Sequence, residues 1–264
     1  MRFSLIFCIV ILASCRKKEA FDPIRVIGHA CNGLELKSSV YHDNTYEAAN
    51  LALSTEACNG IEVDVQLSLD GTLWLYHDTE LSTETNGTSC LATKTDSEIR
   101  ELNYKTIHKE KLCTLDQLVD LIPENGIILL DLRHYNECTN QIVDLIKFNQ
   151  SLKKWQNSCQ KIIEIWTLTN NENWIELLKK DGFKVLFSSE SMEKTNFIKT
   201  NYSCDGFVMK NSAISKEDVT MLKADNKKVA IFEVRSPKGI RKALKKLPDM
   251  LVTDDIRATI IEKY

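Results

Sequence analysis

Residues Gly60–Asp78 read GIEVDVQLSLDGTLWLYHD. Ile61, Val63 and Val65 alternate with Glu62, Asp64 and Gln66, the two-residue period of a strand with one apolar and one polar face. Asp70-Gly71 is a two-residue hairpin signal. A turn there pairs residue 69 with 72, sets Asp64 opposite His77, and leaves Glu62 two residues along on the same face. Two carboxylates and an imidazole then converge. That donor set suits a hard divalent cation with a general acid or base beside it. A solvent-facing hairpin would show the same alternation with no chemistry attached, so the reading needs a second stretch.

That stretch is Arg25–Gly33, RVIGHACNG. Val26 and Ile27 form a short apolar run that ends in Gly28-His29. A histidine at the C-terminal end of a first strand stands where a (βα)8 barrel keeps its active-site residues. Onward from the hairpin, strand and helix patterns alternate, which predicts a parallel sheet. The predicted strands are Ile24–Gly28, the hairpin Ile61–His77, Ile127–Leu132, Ile162–Leu168, Lys184–Ser188, Gly206–Met209, Val229–Val234 and Met250–Thr253. Counting both limbs of the hairpin gives nine: eight for a TIM barrel and one for a β-hairpin extension. Asn44 is the expected cap of a helix reaching about Glu56, with Glu47 its capping-box partner. Thr114, Asn170 or Asn171, Ser215 with Asp218, and Pro237 signal later helix starts. The polar segment 79–111 reads as a loop-like insertion with one short helix near Ser97–Leu102.

GHA at 28–30, DNTYEAA at 43–49, the 60–78 hairpin and TNGT at 85–88 together resemble the glycerophosphodiester phosphodiesterase family. That family opens on Gly-His-Arg-Gly, starts a helix with Asn-Thr-x-x-Ala and continues with Glu-x-Asp-Val, a Lys-Asp-Gly turn and His-Asp. Agreement in order and spacing then extends through CTLDQLVDLIP (113–123), IILLDLR (127–133), IFEVR (231–235) and MLVTDD (250–255). The resemblance implies a divalent ion, calcium or magnesium, on Glu62, Asp64 and Asp131. It also implies that His29 and His77 divide general acid and base work. The reaction implied is hydrolysis of a small glycerophosphodiester to sn-glycerol 3-phosphate and an alcohol.

Several positions depart from the family pattern. Its arginine and glycine after the first histidine are Ala30 and Cys31 here, which removes an anion clamp. Its third metal glutamate is Asp131 and the companion lysine is Arg133. Its Trp-Thr-Val-Asn is Phe232-Glu233-Val234-Arg235. Arg133, Phe232 and Arg235 are therefore the candidate substrate contacts, and Arg133 or Arg235 can replace the missing positive charge. A carboxylate inside the apolar run Ile127–Leu132 is costly unless paired or metal-bound, so Asp131 is either a ligand or the partner of Arg133. His42 and His108 lie in polar segments and read as surface residues; His134 reads as a mouth residue without a direct role. Two other readings compete with a glycerophosphodiesterase. One is a relative acting on another phosphodiester, such as a lipid head group or wall polymer. The other is a non-catalytic binding lipoprotein, which retention of His29 and Glu62 argues against.

The first fourteen residues carry Arg2, an apolar run and Leu12-Ala13-Ser14 before Cys15, the pattern of a lipoprotein signal peptide that leaves Cys15 as the lipidated first residue. The run is too short for a typical membrane-spanning helix. The expected organisation is a signal peptide at 1–14, a tether at 15–22 and one barrel at 23–264, lipid-anchored at a bacterial cell envelope. Taking fourteen residues from 264 leaves 250, the usual size of a (βα)8 barrel. The formal charge of −3 becomes −4 without Arg2, which argues against a nucleic-acid partner. Beyond Cys8 and Cys15 stand Cys31, Cys58, Cys90, Cys113, Cys138, Cys159 and Cys204. An oxidising compartment allows six of these to pair, and buried thiols are the alternative.

Overall fold

Alternating apolar residues on eight short strands give each strand one face for a barrel interior and one for the surrounding helices, and the chain closes on itself accordingly. The computed structural model describes residues 21, 23–34, 39–134 and 144–264. In chain order the strands are β1 (Arg25–Gly28), β2 (Gly60–Leu67), β3 (Leu73–Leu75), β4 (Cys113–Thr114), β5 (Ile127–Leu132), β6 (Glu164–Thr169), β7 (Lys184–Ser189), β8 (Gly206–Lys210), β9 (Lys228–Phe232) and β10 (Met250–Thr253). Eight of them run parallel around the ring β1-β10-β9-β8-β7-β6-β5-β2, and β1 pairs with β2 to close it. This is the expected TIM barrel. The hairpin return β3 and the two-residue β4 add on antiparallel to β2.

Side-chain alternation sorts the core into two layers. Ile27, Leu129, Leu168, Leu186, Val208, Ala230 and Val252 belong to the interior cluster. Their neighbours Val26, Ile128, Leu130, Val185, Phe207, Val229 and Leu251 pack in the outer layer with helix residues such as Phe148, Trp174 and Leu244. A third cluster, built on Trp74, Tyr76, Leu81, Leu91 and Tyr104, fastens the insertion to the hairpin.

Several helix starts follow the sequence signals. Thr114 and Ser215 form capping boxes with Gln117 and Asp218, Asn171 caps Glu172–Lys180, and Pro237 opens Pro237–Leu244. The first helix, Tyr46–Leu53, differs from expectation: its cap is Thr45, whose hydroxyl accepts from the Ala48 N–H. Asn44 instead sits at φ 53°, a left-handed geometry asparagine tolerates, and turns its amide away toward β2. The segment 79–111 holds two short helices, Leu81–Glu84 and Asp96–Arg100, joined by a 3-10 turn.

The hairpin register is one residue off the prediction. Val65 pairs with Leu75 and Leu67 with Leu73, so the connection is the three-residue loop Leu69-Asp70-Gly71 between Ser68 and Thr72. Gly71 takes φ 90°, which such a loop requires. The Asp96 carboxylate fixes this choice, accepting from Ser68 Oγ at 2.7 Å, Thr72 Oγ1 at 2.5 Å and Trp74 Nε1 at 3.0 Å. Asp64 consequently faces Tyr76, whose N–H donates to its carbonyl at 3.1 Å, and not His77.

Cys90 is disulfide-bonded, while Cys31, Cys58, Cys113, Cys159 and Cys204 are free thiols, so six-cysteine pairing does not hold. The signal peptide, Cys15, Cys138 and the tether apart from Phe21 lie outside the described residues. Among the described residues no helix is long and apolar enough to cross a membrane.

Candidate active site

The interior face of each strand carries apolar residues low in the barrel and chemistry-bearing ones at its C-terminal end. Two residues beyond Ile27 comes His29; beyond Leu129, Asp131 and then Arg133; beyond Leu168, Asn170; beyond Ala230, Phe232; beyond Val252, Asp254. On β2 the same face offers Glu62 and Asp64, and the ladder sets Asp64 directly across from Asp131 of β5. A cavity of about 400 Å³ opens at this end, lined by His29, Glu62, His77, Asp131, Arg133, His134, Phe232 and Arg235 among others. His77 lines the cavity despite the shifted register, two residues past the end of β3.

Gly28 permits the presentation of His29. A Cβ there would lie 1.9 Å from the Cys31 carbonyl oxygen, because the chain folds back directly over it. The turn is left-handed at Ala30 (φ 43°) and Cys31 (φ 77°), geometry that a glycine would take more easily than Cys31. Ala30 is fully buried and does not line the cavity, so its side chain leaves the anion-clamp role to other residues. Its backbone N–H donates to Glu62 Oε2 at 2.7 Å.

His29 Nδ1 lies 2.7 Å from Asp254 Oδ1, and Asp254 Oδ2 accepts from Arg235 Nε at 2.9 Å. Asp254 is fully buried. Holding Nδ1 leaves Nε2 as the working atom of His29, 3.9 Å from Glu62 Oε2. Burial works against charge on His29, yet the Asp254 hydrogen bond and the negative Glu62, Asp254 and Asp64 raise its pKa to about 9. Burial also opposes charge on Asp254, but its bonds to His29 and Arg235 hold its pKa below the ordinary carboxylate range. His77 Nδ1 is 2.8 Å from Asp78 Oδ1, a similar histidine–carboxylate pair at the same mouth. Neither Asp254 nor Asn44 is among the site residues expected from the sequence. The Thr-Asp end of β10 was the available signal for the first; the second read as a helix cap.

The three carboxylates fit a divalent cation. Ligand oxygens of Glu62, Asp64 and Asp131 all lie within 4.8 Å of one another, an all-oxygen set suited to calcium or magnesium. Burial and the charge of Asp64 raise Glu62 to about 8, and burial also raises Asp131 against the pull of Arg133, as expected of buried acids crowded together. Burial opposes ionisation of Asp64 as well, but the Arg133 guanidinium keeps its pKa below the ordinary value. Asp64 is further fixed by Asn44, which donates Nδ2 to Oδ2 at 2.7 Å and accepts the Asp64 N–H at 2.9 Å.

Arg133 resolves the choice posed for Asp131 in both directions, since it pairs with an acid that also belongs to the cation cluster. Arg133, Phe232 and Arg235 all line the cavity. His134 does too, set edge-on to Trp174. His108 is exposed, but His42 is not the expected surface residue: it stacks on Tyr104 at 3.9 Å between Asp43 and Glu84.

Known proteins carry the same frame. A phosphodiesterase from Oleispira antarctica, solved with the product sn-glycerol-3-phosphate, superposes with a TM-score of 0.75 at 18% identity, covering 90% of this chain and 96% of that one. An Agrobacterium tumefaciens structure described as a putative glycerophosphoryl diester phosphodiesterase gives 0.75 at 15% identity, covering 91% and 97%. A Bacillus altitudinis glycerophosphodiester phosphodiesterase is 24% identical over 221 residues, 81% of this chain and 89% of its own. A probable glycerophosphodiester phosphodiesterase 1 of Mycobacterium tuberculosis is 35% identical over 95 residues, 32% of this chain, and the match spans only 34% of that relative. Residues 36–258 match the family model of the glycerophosphoryl diester phosphodiesterases, and with the barrel and its acidic mouth already described, the chain belongs to that family.

Proposed function

We propose that the protein is a metal-dependent phosphodiesterase that hydrolyses glycerophosphodiesters to sn-glycerol 3-phosphate and an alcohol. The observation that carries this reading is the meeting of Glu62, Asp64 and Asp131 with His29 and His77 in one cavity at the C-terminal mouth of the barrel. Calcium or magnesium on the three carboxylates would supply positive charge for a phosphate oxygen. The chain's own residues do the rest. Asp254 keeps His29 Nδ1 engaged, so Nε2 is the atom that takes or gives a proton. Asp78 orients His77 in the same manner. One imidazole activates the attacking glycerol hydroxyl or water, and the other protonates the leaving alkoxide. Arg133 and Arg235 bring positive charge to a site whose Ala30 offers none.

The leader and Cys15 suggest a lipoprotein at the cell envelope, where deacylated phospholipid head groups such as glycerophosphocholine and glycerophosphoethanolamine are suitable substrates. Ala30 in place of the family's arginine favours, as a second reading, a different phosphodiester. Release of sn-glycerol 3-phosphate from a panel of glycerophosphodiesters, with calcium, magnesium or chelator and beside His29→Ala, tests both. Cation-dependent release lost in the variant supports the first reading. No release from any head group, with a cation still bound, moves the substrate to another diester.

A further inference from the structure

The side chain of Arg133 lies inside the acidic cluster itself. Its Nε donates to Asp64 Oδ1 at 2.7 Å, and its Nη2 lies 2.6 Å from that same oxygen and 2.8 Å from Asp131 Oδ2. The other Asp64 oxygen accepts from Asn44, so both oxygens of Asp64 already have a donor. A divalent cation drawing on Asp64 and Asp131 therefore shares its ligands with a fixed positive charge. Two cations within a few ångströms in a half-buried site repel strongly. Arginine is suited to such an exchange: its planar fork grips carboxylates, matches a phosphate equally well, and never loses its charge. Arg133 is also part of the cavity wall, so the long side chain has an open direction in which to move.

We propose that Arg133 acts as an exchangeable cation in this site. A divalent ion displaces it from Asp64 and Asp131, and the displaced guanidinium then grips the substrate phosphate. Cation and phosphate consequently bind cooperatively, and Arg133 sets the cation affinity of the empty-handed enzyme. The inference rests on the phosphodiesterase reading of the same site and adds a regulatory coupling to it. The coupling is a linkage: whatever tightens phosphate on Arg133 tightens the cation by the same factor. It assigns Arg133 two successive sets of partners and makes weak cation binding without substrate a designed property of this chain.

Calorimetric titration of calcium into the full chain tests it at pH 8, for wild type, Arg133→Met and Arg133→Lys, each with and without inorganic phosphate. Releasing charged hydrogen bonds of this kind is worth about a 10- to 100-fold factor. Arg133→Met should therefore bind calcium alone at least about tenfold more tightly than wild type. The enhancement of calcium binding by phosphate should shrink about tenfold in the same variant, and Arg133→Lys, which keeps the charge but not the fork, should fall between. A circular-dichroism melt confirms that each variant is folded, and the lysine variant carries the test if the methionine variant is not. Unchanged or weaker calcium binding in a folded Arg133→Met, with the wild type still hydrolysing glycerophosphodiesters, overturns the exchange and leaves the phosphodiesterase reading standing. A wild type that neither binds calcium nor hydrolyses any diester overturns both.

Discussion

Replacing Asp254 by asparagine isolates the positioning of His29 from every other feature of the site. The substitution keeps the side chain's shape and removes its charge. Asp254 Oδ1 accepts from His29 Nδ1 at 2.7 Å and from the Leu34 N–H at 3.2 Å, while Oδ2 accepts from Arg235 Nε at 2.9 Å. An asparagine amide cannot serve both sides. With its oxygen toward His29 it turns an NH2 on Arg235, which can only donate; with the NH2 toward His29 it forces the proton onto Nε2. Either way a buried charge-assisted hydrogen bond is lost, worth about 1.5–3 kcal/mol, so kcat should fall roughly 10- to 150-fold. The His29 pKa, raised to about 9 with the Asp254 hydrogen bond as the foremost upward influence, should drop. The assay pairs glycerophosphocholine turnover with ring-nitrogen NMR of His29 across pH. The second readout matters because a merely structural role would not move it. A folded Asp254→Asn protein with kcat within about threefold of wild type and an unchanged His29 titration would refute the positioning role.

Other consequences can be measured on the same preparation. With chelator present, stability should decline as pH rises from about 6.5 to 9. His29 and Glu62 both have folded-state pKa values above their ordinary ones, so each favours the fold below its unfolded pKa and loses that contribution as pH rises through about 9 and about 8. For His29 alone the loss is on the order of 3 kcal/mol, visible as a fall in Tm that added calcium should flatten; a Tm that climbs over this range refutes the account. Asn44→Ala strips two hydrogen bonds from buried Asp64 and should lower unfolding free energy by about 2–4 kcal/mol in urea titration, with weaker cation binding; a change under about 0.5 kcal/mol would mean that Arg133 alone holds Asp64. Glu62→Gln should reduce hydrolysis at least about 100-fold while tolerating chelator-containing buffer at pH 8 better than wild type, since its burial no longer carries a charge. Activity close to wild type in that variant would remove Glu62 from the cation site.

Much of this molecule is legible in the chain because its signals are local. Period-two alternation placed the barrel strands to within a residue or two. Thr114, Ser215 and Pro237 marked helix starts correctly, since a cap acts on amides three residues away. The resemblance of the 28–30, 60–78 and 127–133 stretches to the family pattern pointed to His29, Glu62, Asp64, His77 and Asp131, whereas the hairpin register read from Asp70-Gly71 set Asp64 opposite the wrong residue. The tertiary structure decided whatever depended on distant partners. Asp96, far along the insertion, selects a three-residue hairpin loop over the two-residue turn that Asp70-Gly71 suggests. Asn44 looks like a helix cap from its neighbours, and only β2 lying opposite turns it into the clamp on Asp64. Asp254 meets His29 because β10 closes against β1, a pairing between the two ends of the chain that no local pattern contains. Arg133 stands two residues after Asp131 in sequence, but its grip on Asp64 exists because β2 and β5 are neighbours in register. Sequence periodicity sets which face a side chain takes; barrel closure and strand register set which charges come within reach of one another, and the chemistry of the site depends on the second.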